Sequence, residues 1–315
     1  DLIVFGSTTF DELCPNAAVN VPISDSTAMR FAISHQDYNF STNNQMPDQP
    51  DGGLKQTNVR LIIKSEFDDL IITSKFHAED WSGKPKPIAS LGIRRVDGSG
   101  NCQTSQLGSS LCADNFGNQI DGNDFWDVNA YTADRKHDTD SWGTSVKFEW
   151  QLSDDILLTS ISGYRSLVRF HSWDSDGPGN FIEGAMATDN TLFSQELSLA
   201  IDFGDNHWVS GLFYVDEEIQ QNNNFDLFRD FRPVPGFETV AAQYFYDNQL
   251  ENSSSAIYSQ IEHRLNDVFT VTAGMRYTDE TTKYHANADK DTVAFGFERD
   301  KWNEKGRVQD DEFSG

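Results

Sequence analysis

Apolar and polar residues alternate along most of this 315-residue chain, and small polar turns interrupt the alternation. Val146-Lys147-Phe148-Glu149-Trp150-Gln151-Leu152 breaks at Ser153-Asp154-Asp155 and is followed by Ile156-Leu157-Leu158-Thr159-Ser160-Ile161. Ser24-Asp25-Ser26, Ser65-Glu66-Phe67-Asp68-Asp69, Gly204-Asp205-Asn206 and Asn266-Asp267 punctuate other runs in the same way. A period of two marks strands, because successive side chains point to opposite faces of a sheet. From 193 to 203 the odd positions read Phe, Gln, Leu, Leu, Ile, Phe and the even ones Ser, Glu, Ser, Ala, Asp. The stretches 257–265 and 269–277 alternate too. A slip of one residue would send Glu, Arg and Lys to the apolar side, so the register is well specified.

The pattern predicts five hairpins, over about 17–38, 57–80, 142–170, 190–220 and 252–285. Asp, Asn and Ser suit their turns by hydrogen-bonding their own backbone. Long polar connections are expected over about 39–56, 81–141, 171–189, 221–251 and 286–310. Such strands reach the roughly 9–11 residues that cross a bilayer at a tilt. Short turns at one end and long loops at the other are the arrangement of an outer-membrane barrel. The fold class read here is therefore all-β, an antiparallel up-and-down transmembrane β-barrel, with the short turns facing the periplasm. Trp81, Trp142, Trp150, Tyr164, Trp208, Tyr214, Tyr258 and Tyr277 lie near strand ends, where aromatic girdles are expected.

The mean hydropathy of −0.56 does not oppose this reading, since a barrel strand meets lipid only at every second residue. No run approaches the roughly 20 apolar residues of a membrane helix. With 24 Lys and Arg against 50 Asp and Glu, the net charge of −26 disfavours nucleic acid and anionic membrane surfaces as partners. Cys102 and Cys112 share a polar stretch and are expected to form a disulfide in an oxidising compartment, leaving Cys14 over. No nucleophile–base, zinc or phosphate-loop motif occurs, so neither an enzyme nor a cofactor is implied. Asp174-Ser175-Asp176-Gly177 begins like a calcium loop, but its twelfth position is Ala185 where a bidentate Glu is needed. No metal site is expected. The chain opens at Asp1 without a leader-like segment and closes in a stretch expected to begin a strand, an expectation of part of a barrel.

Six segments carry a family resemblance. They are 19–32, 157–165, Phe193-Ser194-Gln195-Glu196-Leu197-Ser198-Leu199, Trp208-Val209-Ser210-Gly211-Leu212-Phe213-Tyr214, Ala256-Ile257-Tyr258-Ser259-Gln260 and Thr272-Ala273-Gly274-Met275-Arg276-Tyr277-Thr278. In this order and spacing the chain resembles the β-barrel of TonB-dependent outer-membrane receptors from about residue 17 onward. The resemblance implies a barrel of about 22 strands filled by a plug, of which about ten strands are present here. It implies residence in the bacterial outer membrane among its lipids, and coupling to the TonB protein through a plug this chain lacks. The implied ligand is scarce and small, most often a ferric siderophore or similar iron complex.

Ligand contacts are expected on the long loops. His171, Trp173 and Asp174 in one, with Phe225, Phe228, Arg229, Phe231 and Arg232 in another, combine aromatic faces with guanidinia that grip carboxylates. These side chains could equally stabilise the loops themselves. Two other functions share the pattern: a passive porin, and a soluble acidic β-sandwich binding or adhesion module.

Overall fold

The computed structural model describes residues 2–4, 12–88, 92–114, 117, 119, 126–131, 136–237, 240–291 and 300–314. One antiparallel sheet of 12 strands follows strict chain order. It comprises β1 (Leu2–Val4), β2 (Asn16–Ser24), β3 (Thr27–Asn39), β4 (Gly53–Phe67), β5 (Leu70–Lys84) and β6 (His137–Ser153). It continues with β7 (Ile156–Asp174), β8 (Ile182–Phe203), β9 (Asn206–Leu227), β10 (Gln243–Arg264), β11 (Thr270–Asp291) and β12 (Asp300–Ser314). Among the described residues β1 and β12 are not paired with each other, so this length of chain forms an open wall.

Asp25-Ser26, Asp68-Asp69, Asp154-Asp155 and Gly204-Asp205 make the tight turns. Gly204 has φ 60, a left-handed backbone that costs glycine little. Between β10 and β11 the Asn266 side chain accepts the amides of Val268 and Phe269 at 2.9 and 3.0 Å. Pro22 cannot donate to the ladder, and the register shifts between it and Ser24.

Tracing the register across the sheet sorts every strand residue to one of two faces. The outward face carries Val19, Val21, Phe31, Ile33, Phe76, Trp142, Phe148, Trp150, Leu197, Leu212, Ile257, Met275 and Phe313, all of them exposed. An exposed apolar belt this continuous would be untenable in water and is the expected surface in lipid. Trp142 and Trp150 bracket it on β6, about 26 Å apart along the strand at ~3.3 Å per residue. The inward face is polar, with Arg60, Glu79, Lys147, Arg165, Glu196 and Glu217 on β4 to β9 and Glu280 on β11.

Two expectations need correction. Much of the loops assigned to 171–189, 221–251 and 286–310 is strand, since β7 runs to Asp174, β8 starts at Ile182, β9 runs to Leu227 and β10 starts at Gln243. Likewise β11 reaches Asp291 and β12 begins at Asp300, while 292–299 lie outside the described residues. The loops assigned to 39–56 and 81–141 are also shortened, by the start of β4, the end of β5 and the start of β6. The cause is visible on β9, whose outward side chains change from Trp208, Leu212 and Tyr214 to Asp216, Glu218, Gln220, Asn222 and Asn224. Once a strand leaves lipid both faces are wet, so the alternation fades although the backbone ladder continues.

The second correction concerns the girdle. Trp142, Trp150, Tyr164, Trp208, Tyr214 and Tyr277 face outward, but Trp81 and Tyr258 face inward. The Tyr258 hydroxyl donates to Glu196 at 2.6 Å.

The long connection between β5 and β6 makes two small pairings, Asp127–Val128 with Asn43–Asn44 of the connection between β3 and β4, and Arg94–Arg95 with Cys112–Ala113. Cys102 and Cys112 are joined by a disulfide with Cα atoms 6.2 Å apart. The free Cys14 thiol donates to Glu12 at 3.1 Å.

Candidate functional site

Beyond the apolar belt, at the long-loop rim of strands β5 to β10, two groups of side chains lie back to back. On the inward face, rings step from Trp81 to His137 at 5.9 Å, to His171 at 5.8 Å, to Trp173 at 5.5 Å, to Phe225 at 5.6 Å and to Tyr246 at 5.8 Å. All five separations lie within the range of favourable aromatic pairs. Register creates the row: His137 is opposite His171, Trp173 opposite Gly184, and Gly184 opposite Phe225. Gly184 is the enabling residue on β8, since a Cβ there would meet Trp173 Cζ2 at 2.3 Å. The missing side chain lets the indole lie across β8 and reach Phe225.

Arg169 lies over the Trp81 ring at 5.8 Å, adding a cation to one end of the row. His137 Nε2 is 2.7 Å from the Ser172 carbonyl and so carries the proton there. Four buried polar atoms of inward-facing residues, Thr139 Oγ1, Arg169 Nε, His171 Nδ1 and Asn223 Oδ1, have no hydrogen-bond partner among the described residues. Buried polar atoms are nearly always satisfied, and the outward-facing Asn224 Oδ1 is in the same state.

The outward face at the same height is different. Asp174, Glu183 and Asp226 are successive register partners and are 4 %, 4 % and 5 % exposed. Asp226 accepts from Arg229 Nε at 3.0 Å and Nη2 at 2.7 Å, from Gln243 Nε2 at 3.1 Å, and from Arg232. Arg229 also approaches Glu183 at 3.4 Å. Asp174 accepts the amides of Asp176 and Gly177 at 3.1 and 2.8 Å, closing the turn into β8. Burial, reinforced by Asp176, pushes its carboxyl up to about 8.

Above this node, Phe231 packs against Phe181 at 5.1 Å and stacks on Phe237 at 4.6 Å, with Phe228 6.2 Å from both Phe231 and Phe237. Phe228 sits in the left-handed region at φ 54.

The eight candidate ligand residues thus separate. His171, Trp173 and Phe225 come together in the inward row. Asp174, Arg229 and Arg232 belong to the outward node, while Phe228 and Phe231 form a loop knot. Trp81, expected in the girdle, completes the row with His137, Tyr246 and Gly184, none of which the sequence pointed to as a ligand contact. Strand parity would have found them, had the strands been carried far enough past the lipid belt. A cleft of about 230 Å³ at the rim is lined by Trp173, Glu183, Gly184, Ala185, Asn224, Asp226 and Arg229, most of them outward-facing, so it belongs to the carboxylate node rather than to the row.

A wall of tilted-strand length with a lipid belt outside, a polar face inside and tight turns at one end defines the outer-membrane type of β-barrel. The family model described as TonB dependent receptor-like, beta-barrel matches residues 89–313, well over half of the chain. The chain belongs to the TonB-dependent receptor β-barrel family. Its fold is similar to that of the ferric yersiniabactin uptake receptor of Yersinia pestis, at 14 % identity and TM-score 0.68 over 96 % of this chain and 41 % of that one. It is similar to the ferric citrate transporter in its unliganded form, at 9 % identity and TM-score 0.54 over 99 % and 40 %. The closed form of the ferric-catecholate import receptor of E. coli K12 gives 11 % identity and TM-score 0.54 over 96 % and 46 %. The chain therefore spans less than half the length of these structures. No curated protein sequence matches it.

Proposed function

We propose that this chain is the ligand-facing wall of an outer-membrane receptor that imports a scarce iron complex with energy relayed by the TonB protein. The long-loop rim faces the cell exterior, the tight turns face the periplasm, and the protein resides in the bacterial outer membrane. The observation that carries the reading is the row of rings from Trp81 to Tyr246 on the inward face, with partnerless polar atoms beside it. A row of aromatic rings suits a flat aromatic or conjugated chelating group, and the cation at Arg169 suits its anionic oxygens. The iron-complex names of the similar structures support the ligand class. A passive porin accounts less well for a continuous aromatic row, which would hold a solute rather than let it pass.

In this reading the chain acts by binding and positioning alone. The row collects the ligand at the mouth, and the polar inward wall below offers hydrogen-bonding partners to a plug. The test is calorimetric titration of the intact receptor with ferric catecholate, hydroxamate and carboxylate complexes, together with uptake of labelled iron by cells with and without TonB. Micromolar or tighter binding of one class, with TonB-dependent uptake, is expected. Binding of none of them, or uptake indifferent to TonB, would overturn the proposal.

A further inference from the structure

The buried apolar residues of this chain lie mostly outside the 12-stranded sheet. Among the described residues they are Cys112, Ala113, Val128, Ala130, Phe181, Ala241 and Ala242, all in connections at the long-loop rim, with Ala256 alone in the sheet. A barrel wall faces lipid on one side and the lumen on the other, so it has little core of its own. Burial among the connections is the less expected finding, because loops ordinarily run over a surface and move separately. At this rim they pack on one another.

Three joints tie them together. The first links 40–52, after β3, to 126–131 in the connection after β5. The Asn43 amide donates to the Trp126 carbonyl and the Gln45 amide to that of Val128, both at 2.8 Å, in a short parallel ladder. Asp127 accepts from Asn43 Nδ2 at 2.9 Å and from Gln45 Nε2 at 3.1 Å. Asn44 sits at the centre of this joint. Its Nδ2 donates to the carbonyls of Ala130 at 2.8 Å and Pro50 at 3.1 Å, and its Oδ1 accepts the amides of Ala130 at 3.1 Å and Met46 at 3.2 Å. All four hydrogen-bonding positions of the side-chain amide are thus used. The second joint is the Tyr131 amide, which donates to the Gly177 carbonyl at 2.7 Å in the turn after β7. The third runs from that turn to the connection after β9. The Phe228 amide donates to the Phe181 carbonyl at 2.7 Å, Asp230 accepts from Asn180 N at 3.3 Å and Nδ2 at 3.1 Å, and Phe231 packs against Phe181. Adjacent residues, Ala130 and Tyr131, serve the first and second joints, and one turn serves the second and third. The Gly177 amide donates to Asp174 at 2.8 Å, one residue beyond Trp173, so the series of ties adjoins the aromatic row.

We propose that the connections after β3, β5, β7 and β9 form a single cooperative collar, pinned at Asn44, which opens as one body rather than as separate lids. Contiguous buried contacts and hydrogen bonds between distant segments are the conditions under which local opening becomes cooperative. The chain itself supplies every tie, so the collar stands apart from the ligand class proposed above.

The test is residue-resolved hydrogen exchange of the intact receptor in lipid nanodiscs. Asn44→Ala should raise exchange about tenfold at the Tyr131 amide, the scale of one net hydrogen bond. Across the second joint, the Gly177 amide should gain about threefold. Neither amide bonds to Asn44, so both rises report transmission through the collar. Asp127→Ala removes two exposed contacts of the same joint and should act in the same direction, by about threefold at Tyr131. This milder variant decides the matter if Asn44→Ala does not assemble. Strand amides of β8 and β9 within the lipid belt should keep the parent rates. A rise confined to 43–51 and Ala130, with Tyr131 and Gly177 at parent rates, would overturn the collar and leave separate loops. No iron complex enters this experiment, so its outcome is independent of the binding titration.

Discussion

Phe225 and Asp226 are adjacent in sequence, yet they anchor two surfaces of opposite character. Phe225 points inward and joins rings from five strands into a row whose edges carry polar atoms without partners. Asp226 points outward and is enclosed by two guanidinia and an amide that the chain itself supplies. Both surfaces combine aromatic and charged residues of the same types. They differ most at their centres: the Asp226 carboxylate is met by donors of the fold, whereas Thr139, Arg169, His171 and Asn223 each hold a buried polar atom with no hydrogen-bond partner among the described residues. A self-satisfied cluster stabilises the rim, whereas an incompletely satisfied one is available to a ligand.

This contrast can be broken most forcefully at Asp226. Asp226→Ala leaves Arg229 and Arg232 without their shared carboxylate and should cost the rim on the order of 3 kcal/mol. Hydrogen exchange at 228–237 should rise sharply while the lipid-belt strands keep their protection. Unchanged exchange at the loop would mean that the node contributes nothing to the rim. Trp173→Ala should do the reverse, weakening binding of the proposed iron-complex ligand by about thirtyfold, the scale of a central aromatic contact, with loop exchange unaltered. Titration calorimetry beside the exchange measurement separates the two roles.

Gly184→Ala sharpens the comparison. The added methyl displaces the Trp173 indole, and binding should fall by about tenfold, a little over 1 kcal/mol. In a Trp173→Ala background the same change should have almost no further effect, because the two act through one ring. Additive losses would show that the ring is not the intermediary.

The smallest effect is expected with pH. Asp174 titrates near 8 in the fold, above its ordinary carboxylate value. Its contribution to stability is therefore full below about pH 4 and is progressively lost as pH rises through 8. Protection of the turn after β7, corrected for intrinsic exchange, should decline across that interval. Asp174→Asn, which keeps an acceptor for the Asp176 and Gly177 amides but cannot ionise, should flatten the decline. A slope that persists in the variant would place the titrating group elsewhere.

How much of this was legible in the sequence depended on the surroundings of each strand. Within the belt, lipid on one side and a polar interior on the other impose alternation, so 193–203 and 269–277 announce both strand and face. Above it, Asn222 and Asn224 on one face and Gln221 and Asn223 on the other are all polar. Nothing in such a run separates a strand from a loop. The candidate residues were thus collected by type, and types do not reveal facing: Trp173 and Asp174 belong to different surfaces because they are one residue apart.

The sequence by itself determined the all-β class, the lipid-facing register and the hairpin order, because each is encoded locally by side-chain parity and turn chemistry. Only the tertiary structure decided which residues share a surface. Six rings on five strands meet because the backbone ladders hold their register past the lipid belt and a glycine on the intervening strand lets an indole cross it. Those contacts join residues from Trp81 to Tyr246, and no local pattern encodes a meeting over that separation.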